Sequence, residues 1–185
     1  MEIHIKNMVC DRCIMAVNSI FENIGLQPVH TELGKVWLNS SPTEEQVVEL
    51  SKSLNDVGFE LIDDKRSQMI EAIKNIVIKL VHHTDEQENL NLSDILVRKL
   101  HHDYSYISSL FSDVTGITIE KYYIRQRTER VKELLAYDDY SVSQIADLLG
   151  YSNVAHLSNQ FKQVTGMTPT AFKKNTPPRK PLDKV

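Results

Sequence analysis

The sequence predicts an α+β protein with a small sheet-containing domain at the N-terminus and an all-helical domain at the C-terminus. Two observations predict this class. The chain up to residue 66 alternates short strand-like runs with helical ones, whereas the sequence after it follows a helical period. We therefore expect a domain over 1–66, a connecting amphipathic helix and loop over 67–87, a helical domain over 88–175 and a basic, disordered tail over 176–185.

The N-terminal domain is predicted to contain six elements. Strands are expected where polar and apolar side chains alternate, at Glu2–Lys6, Pro28–Leu33, Lys35–Asn39 and Phe59–Ile62. Helices are expected at Cys13–Ile24, where apolar residues recur at helical spacing, and after Ser41-Pro42-Thr43-Glu44-Glu45, which has the cap, proline and acidic first turn of a helix start. The order β-α-β-β-α-β is that of the ferredoxin-like sandwich.

The connecting helix, Ser67 to His83, carries a long apolar stripe that must be buried. Its members are Met69, Ile70, Ile73, Ile76, Val77, Leu80 and Val81. Packing onto the chain's own two domains is one interpretation, and a two-stranded seam that forms a homodimer is the other. The adjacent histidine pairs His82-His83 and His101-His102 are interpreted as surface or cap residues, because neighbours on a helix point about 100° apart and do not chelate easily.

Composition excludes several classes of protein. No apolar run approaches the roughly 18 residues of a membrane-spanning helix, and the N-terminus lacks the layout of a secretory signal, so we expect no membrane partner and a cytoplasmic location. With Cys10 and Cys13 as the only cysteines, a disulfide-stapled extracellular domain is not expected. The sequence has no phosphate-binding Gly-rich loop and no Ser/His/Asp arrangement, and we do not expect an enzyme.

Charge and repetition point to DNA. The net charge is −4, yet residues 1–67 carry a net −5 and residues 117–185 a net +4. Two segments that begin 50 residues apart, at Leu92 and Val142, align without gaps and share the pattern Phe-x-x-Val-Thr-Gly-x-Thr. Each copy has a short amphipathic helix, a turn and a second helix, which is the layout of a helix-turn-helix whose second helix enters a DNA groove.

The second copy defines a polar face. We expect Ser143–Leu149 as the bracing helix and Asn153–Thr165 as the groove-entering helix, with Val154, Leu157, Phe161 and Val164 facing inward. The outward residues are small, amide or basic, which suits base edges and phosphates: Asn153, Ala155, His156, Ser158, Asn159 and Lys162. The helix Glu120 to Ala136 between the copies is long enough for one chain to contact two adjacent grooves.

The region from 88 to 175 resembles the DNA-binding domain of the AraC/XylS family of transcriptional regulators. The resemblance is carried by Arg127-Thr128-Glu129-Arg130, Ser143-Gln144-Ile145-Ala146-Asp147, Gly150-Tyr151, Phe161-Lys162 and Gly166-Met167-Thr168-Pro169. It implies base contacts from Val154, Ala155 and Asn159 in the second unit and from Ser105, Ser108 and Ser109 in the first. Tyr106, Arg125 and Arg127 are further candidates for DNA contact. The expected partners are double-stranded promoter DNA and RNA polymerase.

A second candidate site is the motif Met8-Val9-Cys10-Asp11-Arg12-Cys13, where the first strand is followed by a helix. Two thiols at this spacing can point at one soft cation, and the helix N-terminus is expected to lower their pKa values. With the Gly34 hairpin and Gly58-Phe59, the motif resembles the heavy-metal-associated domain of copper chaperones and metal-pumping ATPases. The resemblance implies Cys10 and Cys13 as ligands of Cu(I) or Zn(II) and Met8 as a buried anchor. Zn(II) needs further ligands, for which His4, His30 or a residue of another subunit are candidates.

The sequence thus predicts a DNA-binding transcription factor that a soft metal ion regulates through the N-terminal cysteines. Three alternatives remain open. The cysteines can serve as a thiol redox switch, the N-terminal domain can serve folding or dimerisation alone, or the chain can be a metal-trafficking chaperone with a helical appendage.

Overall fold

The computed structural model of the chain describes residues 1–83, 91–137 and 140–175. The strands are β1 (Glu2–Lys6), β2 (Pro28–Glu32), β3 (Lys35–Leu38) and β4 (Glu60–Ile62). The helices are α1 (Asp11–Asn23), α2 (Glu44–Asp56), α3 (Lys65–Ile78), α4 (Leu92–Leu100), α5 (Tyr104–Thr115), α6 (Ile119–Ala136), α7 (Val142–Leu148), α8 (Val154–Thr165) and α9 (Pro169–Asn175). The predicted loop over 84–90 and the predicted basic tail over 176–185 lie outside the described residues.

The four strands form one antiparallel sheet in the order β2-β3-β1-β4. Side chains on alternate positions of the strands, such as Ile3, Ile5 and Val36, are buried in one core together with Val17 and Phe21 of α1. The predicted order of strands and helices in this region is confirmed, as is the mixed α+β class. Helix α2 begins at Glu44 because Thr43 and Gln46 form a capping box.

The chain divides into two compact units, Met1–Ile76 and Val77–Val185, and the division falls inside α3. The sequence predicted the boundary near residue 66. Two hydrogen bonds explain why most of α3 belongs to the first unit: the Asn75 side chain donates to the Leu33 carbonyl oxygen at 3.2 Å, and Glu71 accepts from the Asn7 backbone N–H at 3.1 Å. Neither contact has a local sequence signal.

The apolar stripe predicted over Ser67 to His83 is buried at four of its seven residues. Ile70 is 5% exposed, Ile73 and Val77 are fully buried, and Val81 is 8% exposed. The other three members of the stripe, Met69, Ile76 and Leu80, are partly exposed. Packing within the chain and a homodimer seam both stay predictions. After Ile78 the helix continues as a single π-helical turn, Lys79–His83.

The second unit is helical in every part that the structure describes. Its α7–α9 portion has a core of Val131, Leu134, Ile145, Leu157, Phe161 and Phe172, with α6 as the long central helix that contacts α5, α7, α8 and α9. Among the described helices, none combines the length and the apolar character that crossing a membrane requires. The helical domain predicted at the C-terminus is confirmed, although its described start lies at Val77 rather than at 88.

Candidate functional sites

Helix α8 presents the polar face that the second repeat predicted. Leu157 and Phe161 point into the core and are at most 1% exposed. The opposite face carries the predicted candidates: Asn153, Ala155, His156, Asn159 and Lys162 are exposed, and Ser158 is partly exposed. The Asn153 side chain also caps the helix, since its oxygen accepts from the His156 backbone N–H at 2.8 Å.

Two of the residues predicted to face inward on α8 do not. Val154 is 39% exposed and Val164 is 42% exposed, so that interpretation of both is wrong. They lie in the first and last turns of α8, on either side of the buried Leu157 and Phe161. The exposure of Val154 removes the conflict with its place among the base contacts that the family resemblance implies.

Helix α5 of the first helix-turn-helix unit has the same layout as α8, with different side chains. Ile107, Leu110 and Phe111 face the core. The remaining candidates lie on the other side: Ser105 and Ser109 are exposed, Ser108 is partly exposed, and Tyr106 is 50% exposed with its ring 5.2 Å from that of His102. The exposed face of α5 thus carries hydroxyl groups, whereas the exposed face of α8 carries amides and a lysine.

The repeated pattern Phe-x-x-Val-Thr-Gly-x-Thr ends one helix and starts the next. Thr115 and Thr165 donate their hydroxyl groups to the carbonyl oxygens of Phe111 and Phe161, at 2.7 and 2.8 Å. The following Gly116 and Gly166 have φ of 72° and 82°, a left-handed conformation that glycine adopts without strain. Thr118 and Thr168 then cap α6 and α9. The repeated pattern therefore ends α5 and α8 in the same way and caps the helix that follows each of them.

The two connector arginines differ in their surroundings. Arg127 donates to the Leu149 carbonyl oxygen at 2.6 Å, and its guanidinium lies 3.8 Å from the centre of the Tyr151 ring. Both partners belong to the turn of the second helix-turn-helix, so Arg127 braces that turn from α6. Arg125 is partly exposed and has no hydrogen bond or ion pair within the described residues.

The sequence does not reveal a buried histidine in the helical part of the chain, Val77–Val185. His82 was interpreted as a surface or cap residue, but its side chain is 4% exposed and its Nε2 lies 3.1 Å from Oε1 of Gln126 on α6. Burial lowers the pKa of His82 to about 4. The partner is 44 residues away, and no local pattern could have found it.

The two thiols of the cysteine loop lie side by side, with Sγ atoms 3.6 Å apart. Cys10 is the N-cap residue of α1, and Cys13 lies in its first turn and accepts from the Val9 backbone N–H at 3.5 Å. Met8 is fully buried in the N-terminal core, as its predicted anchoring role requires. Asn7 has φ of 72° and donates its side-chain amide to the Gly58 carbonyl oxygen at 2.9 Å, which fixes the loop at its start.

The pKa prediction for the thiols is wrong for Cys13. Burial raises the pKa of the Cys13 thiol above its ordinary value, although backbone N–H groups of Val9 and Cys10 act in the opposite direction. Desolvation of the thiolate, together with the neighbouring Cys10 thiol, therefore outweighs these two backbone hydrogen bonds.

The donor set fits an ion that accepts two thiolates. Metal–sulfur bonds of about 2.3 Å reach both sulfurs at the observed separation. Among the described residues, no three His, Cys, Asp or Glu side chains are grouped to hold a metal. His4 lies 3.4 Å from Glu2, and His30 packs on the Trp37 ring; among the described residues neither is grouped with the two cysteines as a potential metal ligand.

Comparison with known proteins identifies the C-terminal region. A model of the helix-turn-helix domain family matches residues 96–175. The HTH-type transcriptional regulator YtdP of Bacillus subtilis is 34% identical over 124 residues, which are 67% of this chain and 16% of YtdP. The Msm operon regulatory protein of Streptococcus mutans is 29% identical over 111 residues, which are 60% of this chain and 39% of that protein. The chain thus spans less than half the length of either relative.

A solved structure shows the same fold. The C-terminal domain of AraT, a response regulator from Geobacillus stearothermophilus, aligns with a TM-score of 0.52 and 20% identity over 60% of this chain and 88% of that domain. Residues 96–175 of this chain thus match the helix-turn-helix domain family, and the two relatives similar to the chain are named as an HTH-type transcriptional regulator and an operon regulatory protein.

Proposed function

We propose that the protein is a sequence-specific transcription factor that binds double-stranded promoter DNA through both helix-turn-helix units. The observation that carries this proposal is the pair of exposed polar faces, on α5 and α8, each backed by a buried apolar face on the same helix. Relatives named as transcriptional regulators support it. Contact with RNA polymerase stays a prediction.

The length of α6 suits two successive grooves. Successive major-groove faces on one side of DNA are about 34 Å apart. The 18 residues of α6 span about 27 Å at a rise of about 1.5 Å per residue, before the width of the flanking helices is added. One chain can therefore place α5 and α8 in neighbouring turns of a duplex.

The side chains favour unequal roles for the two units. Asn159 presents an amide that can pair with adenine, and Lys162 at the far end of the same face suits a phosphate. The serines of α5 donate single hydrogen bonds of low base selectivity. We propose that the second unit contributes more to sequence selectivity than the first.

Selection of duplexes from a random library with the full chain tests the proposal. We expect recovery of a defined sequence, and about 10-fold or greater loss of affinity for it in Asn159→Ala. Asn55→Ala, the same change at an exposed residue of α2, is the matched control and should bind like the wild type. Binding that remains after competitor DNA and salt are raised is specific. Recovery of no sequence from the library would overturn the proposal.

We propose in addition that the N-terminal unit is a ferredoxin-like domain of the heavy-metal-associated type that binds Cu(I) through Cys10 and Cys13. The sheet order β2-β3-β1-β4, the 3.6 Å separation of the Sγ atoms and the buried Met8 support it. Two thiolates are a sufficient ligand set for Cu(I), a soft ion, whereas Zn(II) requires more. Regulation then requires that the ion change the affinity for DNA.

Anaerobic competition against a chromophoric Cu(I) chelator tests the metal site. We expect one Cu(I) per chain, lost in Cys10→Ser and in Cys13→Ser, with DNA binding retained by both variants in the absence of copper. Regulation predicts a copper-dependent change in the affinity of the wild type for its selected duplex. The same affinity with and without copper would contradict metal regulation, and a change caused by a thiol oxidant without copper would favour the redox alternative.

A further inference from the structure

The π-helical turn Lys79–His83 precedes the residues that match the helix-turn-helix family, yet it contacts the central helix of the DNA-binding domain. Its buried polar residue is His82. The side chain of His82 is 4% exposed, and its Nε2 lies 3.1 Å from Oε1 of Gln126 on α6. A polar group buried to this extent is normally kept only where its hydrogen bond is made.

The hydrogen bonds around Gln126 have a defined direction. Gln126 is fully buried, and its Nε2 donates to the hydroxyl oxygen of Tyr122 at 3.0 Å. In this orientation Oε1 of Gln126 faces His82, and it accepts a hydrogen bond from the imidazole tautomer that carries its proton on Nε2. On the other side of the ring, Nδ1 lies 3.9 Å from Glu133, which Arg130 holds at 2.8 Å. With a pKa of about 4, His82 is neutral at pH 7 and can act as this donor.

Helix α6 determines how both groove-facing helices are held. It follows α5, precedes α7, and carries Arg127, the residue after Gln126, whose guanidinium donates to Leu149 in the turn before α8. Apolar packing alone tolerates small sliding and rotation of a helix, whereas a chain of buried hydrogen bonds specifies one arrangement. The hydrogen bonds that join His82 to Gln126 and Gln126 to Tyr122 form such a chain at the middle of α6.

We propose that His82 is a positioning residue of the DNA-binding domain. Its hydrogen bond to Gln126 fixes the rotation and axial position of α6, and through α6 the simultaneous fit of α5 and α8 to two grooves. The inference rests on the DNA-binding function proposed above. It extends the functional domain to the π-helical turn, outside the residues that the family shares.

The test compares two duplexes, the full sequence selected by the wild-type chain and a half duplex that keeps only the segment contacted by α8. His82→Leu removes the imidazole group that contacts the buried Oε1 of Gln126. We expect about 10-fold weaker binding of the full duplex and unchanged binding of the half duplex. His82→Gln keeps a side-chain donor and should restore most of the affinity. His83→Leu, the same change at the exposed neighbouring position, should match the wild type on both duplexes.

His82→Leu with Gln126→Leu replaces both polar partners by apolar ones, so it keeps the test valid where the single variant does not fold. The proposal predicts the same selective loss on the full duplex for this double variant. Wild-type affinity of the folded variants for the full duplex would overturn it, as would equal losses on both duplexes. Failure of the wild type itself to select a duplex would instead contradict the DNA-binding proposal.

Discussion

The two helix-turn-helix units share a burial pattern but differ in how their turns are held. In the second unit, Ser141 and Gln144 form a capping box on α7, Gly150 takes the left-handed conformation in the turn, and Asn153 caps α8. In the first unit, the side chains of the N-cap residues Asn91 and Asp103 make no cap hydrogen bond. The left-handed position there is occupied by His101, with φ of 55°.

Helix α6 contacts both units, but the second has side-chain caps at its two helix starts in addition to the Arg127 contact, whereas the N-cap side chains of the first make no cap hydrogen bond. The second unit has a side-chain or glycine signal at each boundary of its turn. The first unit is held from outside, by the hydrogen bond of Tyr104 to Glu120 on α6 and by the contact of the Phe111 and Tyr122 rings, whose centres are 5.6 Å apart. We expect the second unit to tolerate separation from its surroundings better than the first.

The largest expected effect comes from Arg127, which braces only the second unit. Arg127→Ala removes a charged hydrogen bond to Leu149 and the guanidinium contact with Tyr151, and should lower the free energy of unfolding by about 2 kcal/mol. Urea denaturation measures it. Arg125→Ala, on the same helix, is the control and should change stability by less than about 0.5 kcal/mol. The reverse ranking of the two arginines would show that Arg127 does not brace the turn.

The N-cap residues of the two helix-turn-helix units are expected to differ in their contribution to stability, by less than the Arg127 effect. Asn153→Ala removes the hydrogen bond to the His156 N–H and should cost about 1 kcal/mol of stability, whereas Asp103→Ala should cost a few tenths because its side chain makes no cap bond. Thermal and urea unfolding of both variants measure the difference. Equal costs at the two positions would contradict the view that the second unit alone is locally capped.

The smallest expected effect is a gain. His101→Gly relieves the left-handed backbone at the end of α4 and should raise the free energy of unfolding by about 0.5 kcal/mol, after the larger entropy of glycine in the unfolded chain is subtracted. His102→Gly is the control, since His102 is exposed and is not among the positive-φ residues, and it should lower stability. A loss of stability in His101→Gly would indicate that the His101 side chain has a contact worth more than the strain.

The contrast between local signals and contacts distant in sequence also explains which features the sequence predicts and which it does not. The sequence predicts helices α7 and α8 to within one residue because the repeat and the turn at Gly150 are visible in it, and the two strands that meet at Gly34 are found through the glycine between them. The bracing role of Arg127 and the burial of His82 depend on partners 22 and 44 residues away, which no periodicity reveals. The pKa of Cys13 was missed because burial, not helix position, dominates it.

The central claim is that α5 and α8 enter neighbouring grooves of one duplex. Ser109→Cys and Asn159→Cys, each made in a Cys10→Ser, Cys13→Ser background, allow a photocrosslinker to be placed on one groove-facing helix at a time, and sequencing the crosslinked selected duplex measures where each helix lies. Two crosslinked segments about one helical turn, roughly 10 base pairs, apart are the predicted result. Crosslinks from α8 alone, or from both helices to the same base pairs, would contradict the account.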